Sequence, residues 1–371
     1  MKFPSDIERY SDKYFLRSLE ILKKEKLNPF IRAQVFIREG PGRIYGINEV
    51  VELIEHASVL KKNGGMILSL QEGEIYESDE TILLIEGRVQ DIISLETLIL
   101  GIISGETTKR NDNISTDLEE IKKHVLKITT LVGERPIIYF GARHYRYDED
   151  KEIAKAVFAG GAVDASTDIA ASIINKEGIG TIPHSLECIF AWKYGMSNAV
   201  VKTIEAFDKH IDSKIPRVAL IDFNNKEIDD SLKVAYLLKE RIYGIRVDTC
   251  NENEMQFAKS FENHRDEDFW NGKGVTIGGV YSLRKMLTEK GFDQIKIMLS
   301  GGFGAIEKVR AFVEAEKELG ISLFDALGIG QVYQTRVATM DVVGVGESLD
   351  TLKNIAKVGR KYKRNNRLKE R

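Results

Sequence analysis

Seven apolar runs in this chain each end in residue types that grip anions, bind hydroxyls or stabilise a developing cation. The endings are Gly141-Ala142-Arg143-His144, Asp164-Ala165-Ser166-Thr167, Thr181-Ile182-Pro183-His184-Ser185, Asp222, Arg246-Val247-Asp248, Ser300-Gly301-Gly302 and Gly328-Ile329-Gly330. A planar guanidinium at Arg143 or Arg246 suits bidentate recognition of a carboxylate or phosphate. Bare glycines at 301–302 and 328–330 let backbone N–H groups approach an anion, and a following helix N-terminus adds partial positive charge. Asp222 and Asp248 suit ribose hydroxyls, a water-bound Mg²⁺ or a cationic reacting centre; their alternative role is to cap the next helix. His184, between a proline and a serine, is read as functional. His124 and His210 sit in charged helical sequence and are read as ordinary surface residues. Cys188 lies in an apolar helix and reads as packing, and Cys250 has no Cys/His/Asn set to make it a nucleophile.

The elements that must position these residues are a regular alternation of strand and helix from about residue 133 onward. RPIIYFGAR, GAVDAST, GIGTIPHS, RVALIDF, YGIRVDT, IKIMLSGG and FDALGIG read as strands. Amphipathic helices are expected over residues 226–241 and 304–319, the latter ending at Gly320. Near-continuous apolar strands alternating with helices indicate a parallel sheet covered by helices. About seven such strands suit a barrel, and no G-x-G-x-x-G follows an early strand. In a parallel barrel the C-terminal strand ends share one rim, where active sites are built. A ligand with a terminal phosphate, an acidic group and hydroxyls beside a cationic centre would fit such a rim: a phosphorylated sugar with a small carboxylate.

The first part reads differently. Residues 7–25 look helical, stopped by Asn28-Pro29, and IRAQVFIREG, GMILSLQEGEIY and TILLIEGRVQ are strand-like. ISLETLILGIIS then reads as a buried helix. We therefore expect an α/β protein: a small sheet-based domain over roughly the first 110 residues, a parallel α/β barrel from about residue 133, and a last strand-like stretch, VATMDVVGVGE, returning to the N-terminal domain. The final KVGRKYKRNNRLKER is read as a solvated helix end or frayed terminus.

Composition narrows the classes further. The chain has 371 residues, 54 basic and 57 acidic side chains, and a formal charge of −3, which gives no global attraction to nucleic acid. Two cysteines cannot build a disulfide framework or a four-thiolate zinc lobe. No apolar run reaches membrane-span length and the opening MKFPSDIERYSDKYF has no apolar leader core, so a soluble, cytoplasmic protein is expected.

Taken in order, DKYFLRS, EGRVQDIISLETLILGI, FGARH, AGGAVDASTDIA, GTIPHSL, LIDF, IRVDT, IKIMLSGG and GIG resemble nicotinate phosphoribosyltransferase, above all its shorter archaeal type. The resemblance implies a type II phosphoribosyltransferase fold: an N-terminal α/β sandwich domain over 1–112, an irregular parallel α/β barrel with the active site over 113–335, and a C-terminal segment over 336–371 returning to the sandwich. It also implies at least a homodimer with active sites completed across the interface. The implied reaction joins nicotinate to 5-phosphoribosyl-1-pyrophosphate (PRPP) with Mg²⁺ in NAD biosynthesis, with ATP as co-substrate. Tyr14 would reach into the neighbouring subunit and stack on the pyridine ring. Phe140 and Arg143 would form the nicotinate pocket, with Thr181 near the ring. His184 would be the phosphorylated histidine of ATP-coupled members, with Ser185 beside it. Arg246 and Asp248 would hold the ribosyl part, and Ser300, Gly301, Gly302, Gly328 and Gly330 the 5-phosphate. Asp222 and Asp248 would stabilise the cationic centre. The chain departs from many relatives at His144, where a second arginine is usual; this substrate-site residue bears on the choice of pyridine. It departs also at Gln331 and at Thr249-Cys250. Quinolinate and nicotinamide transferases, or a non-catalytic sensor of PRPP or nucleotide, are the alternative readings.

Overall fold

The computed structural model describes residues 3–257 and 269–371. Residues 1–2, the start of the segment read for a leader, and 258–268, within the expected barrel unit, lie outside that description. In chain order the strands are β1 (Phe30–Ile37), β2 (Gly42–Arg43), β3 (Met66–Ser69), β4 (Ile75–Tyr76), β5 (Thr81–Arg88), β6 (Ile137–Tyr139) and β7 (Asp164–Ala165). They continue with β8 (Arg217–Leu220), β9 (Ile242–Val247), β10 (Lys296–Leu299), β11 (Ala326–Ile329), β12 (Ala338–Gly346) and β13 (Lys369–Glu370).

Two sheets carry the fold. The first is antiparallel in the order β12-β1-β5-β3-β13. Its central strands are rich in β-branched and apolar residues, and Ile31, Ala33, Val35, Ile37, Ile82, Leu83 and Ile85 are buried. Helix Glu96–Asp112 is apolar nearly all round at its start, and Leu98, Ile99, Leu100, Ile102 and Ile103 are buried. It lies close against the second unit: a Cβ on Gly101 would meet the carbonyl of Tyr145 at 2.4 Å, so only glycine permits this approach. Arg146 ties the same boundary, with Nη1 2.8 Å from Glu49 and 2.9 Å from Glu106.

The second sheet is wholly parallel, β7-β6-β11-β10-β9-β8. Helices cover it, as parallel strands buried on both faces require. It forms most of a barrel. Of the seven expected strands, GIGTIPHS is not laddered. It runs as an extended segment that bridges the two edge strands, with Ile179 N–H donating to Ala165 at 2.9 Å and Thr181 Oγ1 to the carbonyl of Val218 at 2.6 Å. Close approach explains the irregularity. A Cβ on Gly178 would lie 2.7 Å from the Ser166 carbonyl, and one on Gly180, at φ +129°, would lie 2.8 Å from the Tyr14 ring.

Helix Lys13–Lys24 lies across this seam. Lys13 pairs with Asp168 at 2.8 Å, and Arg17 donates to the carbonyl of Gly180. The C-terminal segment also departs from its expected form. Gln34 Nε2 donates to the Lys361 carbonyl at 2.8 Å, Thr81 Oγ1 donates to that of Lys363 at 2.7 Å, and β13 pairs with β3. The basic end is a docked strap, because its backbone supplies acceptors to the sheet and its charges find carboxylates such as Glu74 and Glu80.

Candidate active site

A cavity of about 250 Å³ opens where the C-terminal ends of the barrel strands face the first sheet. Tyr14, Arg143, His184, Ser185, Arg246, Asp248, Gly301 and Gly302 all line it. Helix Lys13–Lys24 brings Tyr14, the turn after β6 brings Arg143, and β9 carries Arg246 next to its end with Asp248 just beyond it.

Arg143 is fixed by carboxylates. Its Nε lies 3.3 Å from Asp12 Oδ2 and its Nη1 3.6 Å from Glu96 Oε1. The same Asp12 oxygen accepts from Tyr14 OH at 2.9 Å and from Thr97 Oγ1 at 3.0 Å. Burial pushes the Glu96 carboxyl up to about 8, with Arg143 opposing the rise. Arg246 differs: it donates to the carbonyl of Ile182 at 3.3 Å and has no carboxylate partner among the described residues. Its guanidinium carbon stands 5.8 Å from the Tyr14 ring centroid and 5.9 Å from that of Phe140. Aromatic faces therefore flank a guanidinium left available to an incoming anion.

Behind His184 is a charged relay. His184 Nε2 lies 3.1 Å from Asp222 Oδ1, and the Lys357 ammonium contacts Asp222 Oδ2 and donates to the Asp248 carbonyl at 2.8 Å. Asp222 is fully buried. Burial alone would raise its pKa, but Lys357 and His184 hold it well below the usual carboxylate range. Burial and the nearby Lys357 in turn lower His184, which is neutral at pH 7. Asp248 Oδ1 accepts from Ser300 Oγ at 3.0 Å.

Phe140 and Thr181 line a second, largely apolar cavity of about 490 Å³ inside the barrel, and Arg246 borders both spaces. His144, Gly328 and Gly330 are not brought to the first cavity. A Cβ on Gly328 would lie 2.5 Å from the Phe140 ring, and one on Gly330 2.6 Å from the His144 ring. Burial, with Arg143 adding to it, pushes His144 down to about 3, so it supplies no positive charge to a ligand. Within its own chain Tyr14 meets Arg143 and Arg246, with helix Lys13–Lys24 lying on the barrel seam.

The strand-end pattern missed the acids and bases that hold the site. Arg38 and Arg360 share Glu252 at 2.8 and 2.9 Å, and Lys357, Arg360, Glu96 and Asp341 line the cavity. Glu96 carried a signal, an acid inside the apolar run ISLETLILGI. Lys357 and Arg360 carried none, since their segment has no periodicity.

These observations meet known proteins at the level of architecture. Nicotinate phosphoribosyltransferase from Porphyromonas gingivalis superposes with a TM-score of 0.66 at 14% identity, covering 94% of this chain and 92% of that one. The Vibrio cholerae nicotinate phosphoribosyltransferase gives 0.66 at 13% identity, over 95% and 89%. A Saccharomyces cerevisiae protein described as a nicotinate phosphoribosyltransferase gives 0.67 at 15%, over 94% and 91%. This is a type II phosphoribosyltransferase fold. The family described as quinolinate phosphoribosyl transferase, N-terminal domain, matches residues 12–105. Those residues begin at the Asp12 anchor and run past Glu96 into the helix that it opens. In type II terms, the cavity described above lies between the N-terminal sheet domain and the strand ends of the barrel. No described helix is long and apolar enough to cross a membrane.

Proposed function

We propose that the protein transfers a phosphoribosyl group from PRPP to nicotinate, forming nicotinate mononucleotide and pyrophosphate for NAD biosynthesis, with ATP as a coupled co-substrate. The observation that carries this reading is the meeting, on one cavity, of the uncommitted Arg246, the acid Asp248, the Gly301-Gly302 loop and the His184–Asp222–Lys357 relay.

Nicotinate's carboxylate pairs with Arg246, and its ring lies by Tyr14 and Phe140. The pyridine nitrogen attacks ribose C1 as the bond from C1 to the pyrophosphate oxygen breaks. Positive charge builds on the sugar beside Asp248, which lowers the barrier electrostatically. No serine or cysteine nucleophile is needed, and the chain's work is chiefly positioning. Among the described residues no three His, Cys, Asp or Glu side chains converge to hold a metal, so the donor set fits Mg²⁺ only as the companion of the substrate's diphosphate, with Asp248 on the facing wall. Arg38, Arg360 and Lys357 face the departing charge.

In the neutral His184, Nε2–H donating to Asp222 leaves the Nδ1 lone pair free. That nitrogen accepts the terminal phosphoryl group of ATP, releasing ADP. Nicotinate is favoured over quinolinate by charge count: Arg143 is already matched by Asp12, so one guanidinium awaits one carboxylate.

Pyrophosphate release with Mg²⁺ and PRPP, compared across nicotinate, nicotinamide and quinolinate, tests the reading. Turnover is expected with nicotinate, raised by ATP only while His184 is intact. Release with none of the three would make the protein a sensor, and stimulation surviving His184→Ala would remove the phosphohistidine step.

A further inference from the structure

The space inside the barrel takes no part in the proposed reaction beyond its inner edge. A parallel barrel is normally filled by layers of branched side chains. Here Gly244 and Ala326 line the interior, where bulkier residues would close it, and the cavity of about 490 Å³ reaches from Phe140 to Pro136, Pro216 and Tyr243 at the strand starts. Tyr243 is exposed at that end. The volume lies in the range of small-molecule sites. Much of the wall is Ile138, Val218, Ile245, Ile297 and Met298, a surface that favours an apolar body over water.

The charges that border this cavity are matched with two exceptions. Lys296 pairs with Asp325 at 3.1 Å, and Asp164 with Lys176 at 3.1 Å. Arg246, the first exception, meets a ligand carboxylate in the proposed reaction. Arg17 is the second. It is only 9% exposed, its Nη1 donates to the Gly180 carbonyl, and among the described residues no carboxylate pairs with it. Asp168, Glu177 and Glu20 act on it only from a distance, and Asp168 is already taken by Lys13. Both guanidiniums are anchored on one strip of wall, at the carbonyls of Gly180 and Ile182, two residues apart.

A backbone carbonyl satisfies one donor of Arg17 and leaves its charge unmatched. Burying a guanidinium in that state is costly, and a carboxylate offers it both charge and a two-pronged acceptor. An apolar hollow with one such cation on its border is therefore complementary to a molecule that is apolar along its length and acidic at one end.

We propose that the barrel interior is a second ligand site, for an apolar monocarboxylate of the fatty-acid class, with the carboxylate on Arg17 and the hydrocarbon body along Ile138, Val218, Ile297 and Met298. The site goes beyond the transfer reaction and does not depend on it.

Calorimetric titration of the full chain with octanoate, kept below micelle-forming concentration, tests the site without turnover. Octan-1-ol and octylammonium serve as the same body without the carboxylate. Wild-type protein should bind octanoate and neither of the other two. Arg17→Gln keeps a donor for the Gly180 carbonyl but no charge, and should bind octanoate about tenfold more weakly or worse, the scale of one charged hydrogen bond. Arg17→Lys restores the charge and should bind nearer to wild type. Ala326 shares a face of β11 with Gly328, which looks onto the Phe140 ring, so Ala326→Leu adds bulk to the hollow. That variant should lose octanoate binding and melt no lower than wild type.

Failure of wild type to bind octanoate overturns the proposal. So does unaltered binding by Arg17→Gln, and so does unaltered binding by Ala326→Leu, which would place the acid elsewhere. Octan-1-ol binding as tightly as octanoate would reduce the site to a greasy surface and overturns it too. Loss of binding in both Arg17→Gln and Arg17→Lys with lowered melting points would make Arg17 a prop for its helix, which also ends the case.

Discussion

Asp150 shows how a buried acid behind the site sets the pH response of one residue. It is 1% exposed, and Thr167 Oγ1 donates to its Oδ2 at 2.8 Å, with no cation paired to it among the described residues. Burial raises its carboxyl to about 7, with the hydrogen bond from Thr167 opposing the rise. A raised folded-state value means that the folded chain binds a proton that the unfolded chain releases near pH 4. The stability tied to that proton is present at low pH and lost as pH rises through about 7. Asp150→Asn removes the titration, so its urea midpoint should exceed wild type by more at pH 8 than at pH 5. An identical difference at both pH values would refute the assignment. His144 and His184 work the other way. Both are lowered by burial, so the unfolded chain takes up protons that they refuse and stability falls as pH drops below about 6.5. Arg143, Arg246, Asp248, Gly301 and Gly302 were legible because each terminates an apolar strand. Their partners Asp12 and Glu96 were not singled out, because a buried counter-charge is defined by what lies across the cavity and not by its neighbours in the chain.

At the scale of elements, the C-terminal strap is the feature that most alters the reading. It delivers Lys357 to Asp222 and Arg360 to Glu252 before it runs on along the first sheet. Lys357→Met leaves Asp222 buried with no ammonium, a defect of about 3–5 kcal/mol. Unfolding in urea should show that loss. The double variant Asp222→Asn with Lys357→Met should recover most of it, because neither charge is then left alone. A double variant as unstable as the sum of the two single changes would mean that the residues act independently. The strand–helix alternation was readable from apolar runs and Gly320, which ends helix Ile306–Leu319 at φ +68°. The strand expected at GIGTIPHS was not formed, since Gly178 and Gly180 are spent on close contacts with Ser166 and Tyr14.

For the whole molecule, the path of helix Lys13–Lys24 bears on how many chains make one site. Tyr14 stands against Arg143 and Arg246 of the same chain, held there by Lys13 on Asp168 and Arg17 on the Gly180 carbonyl. One chain therefore supplies the whole cavity described here. Co-expression of Tyr14→Ala with Asp248→Ala should restore no more transfer activity than either variant alone. Recovery in the mixed protein would show that Tyr14 works across an interface, as the family resemblance implied.

The sequence by itself determined the α/β class, the parallel strand order of residues, the anion-gripping strand ends and the likeness to a phosphoribosyltransferase, because periodicity and strand-end chemistry are local properties. Tertiary structure alone decided which endings meet. It drew Gly328, Gly330 and His144 away beneath other side chains and placed Tyr14 on its own barrel. It also recruited a basic tail as the site's counter-charges. The physical reason is that burial makes an unmatched charge expensive, and the partner that matches it can come from any distance along the chain.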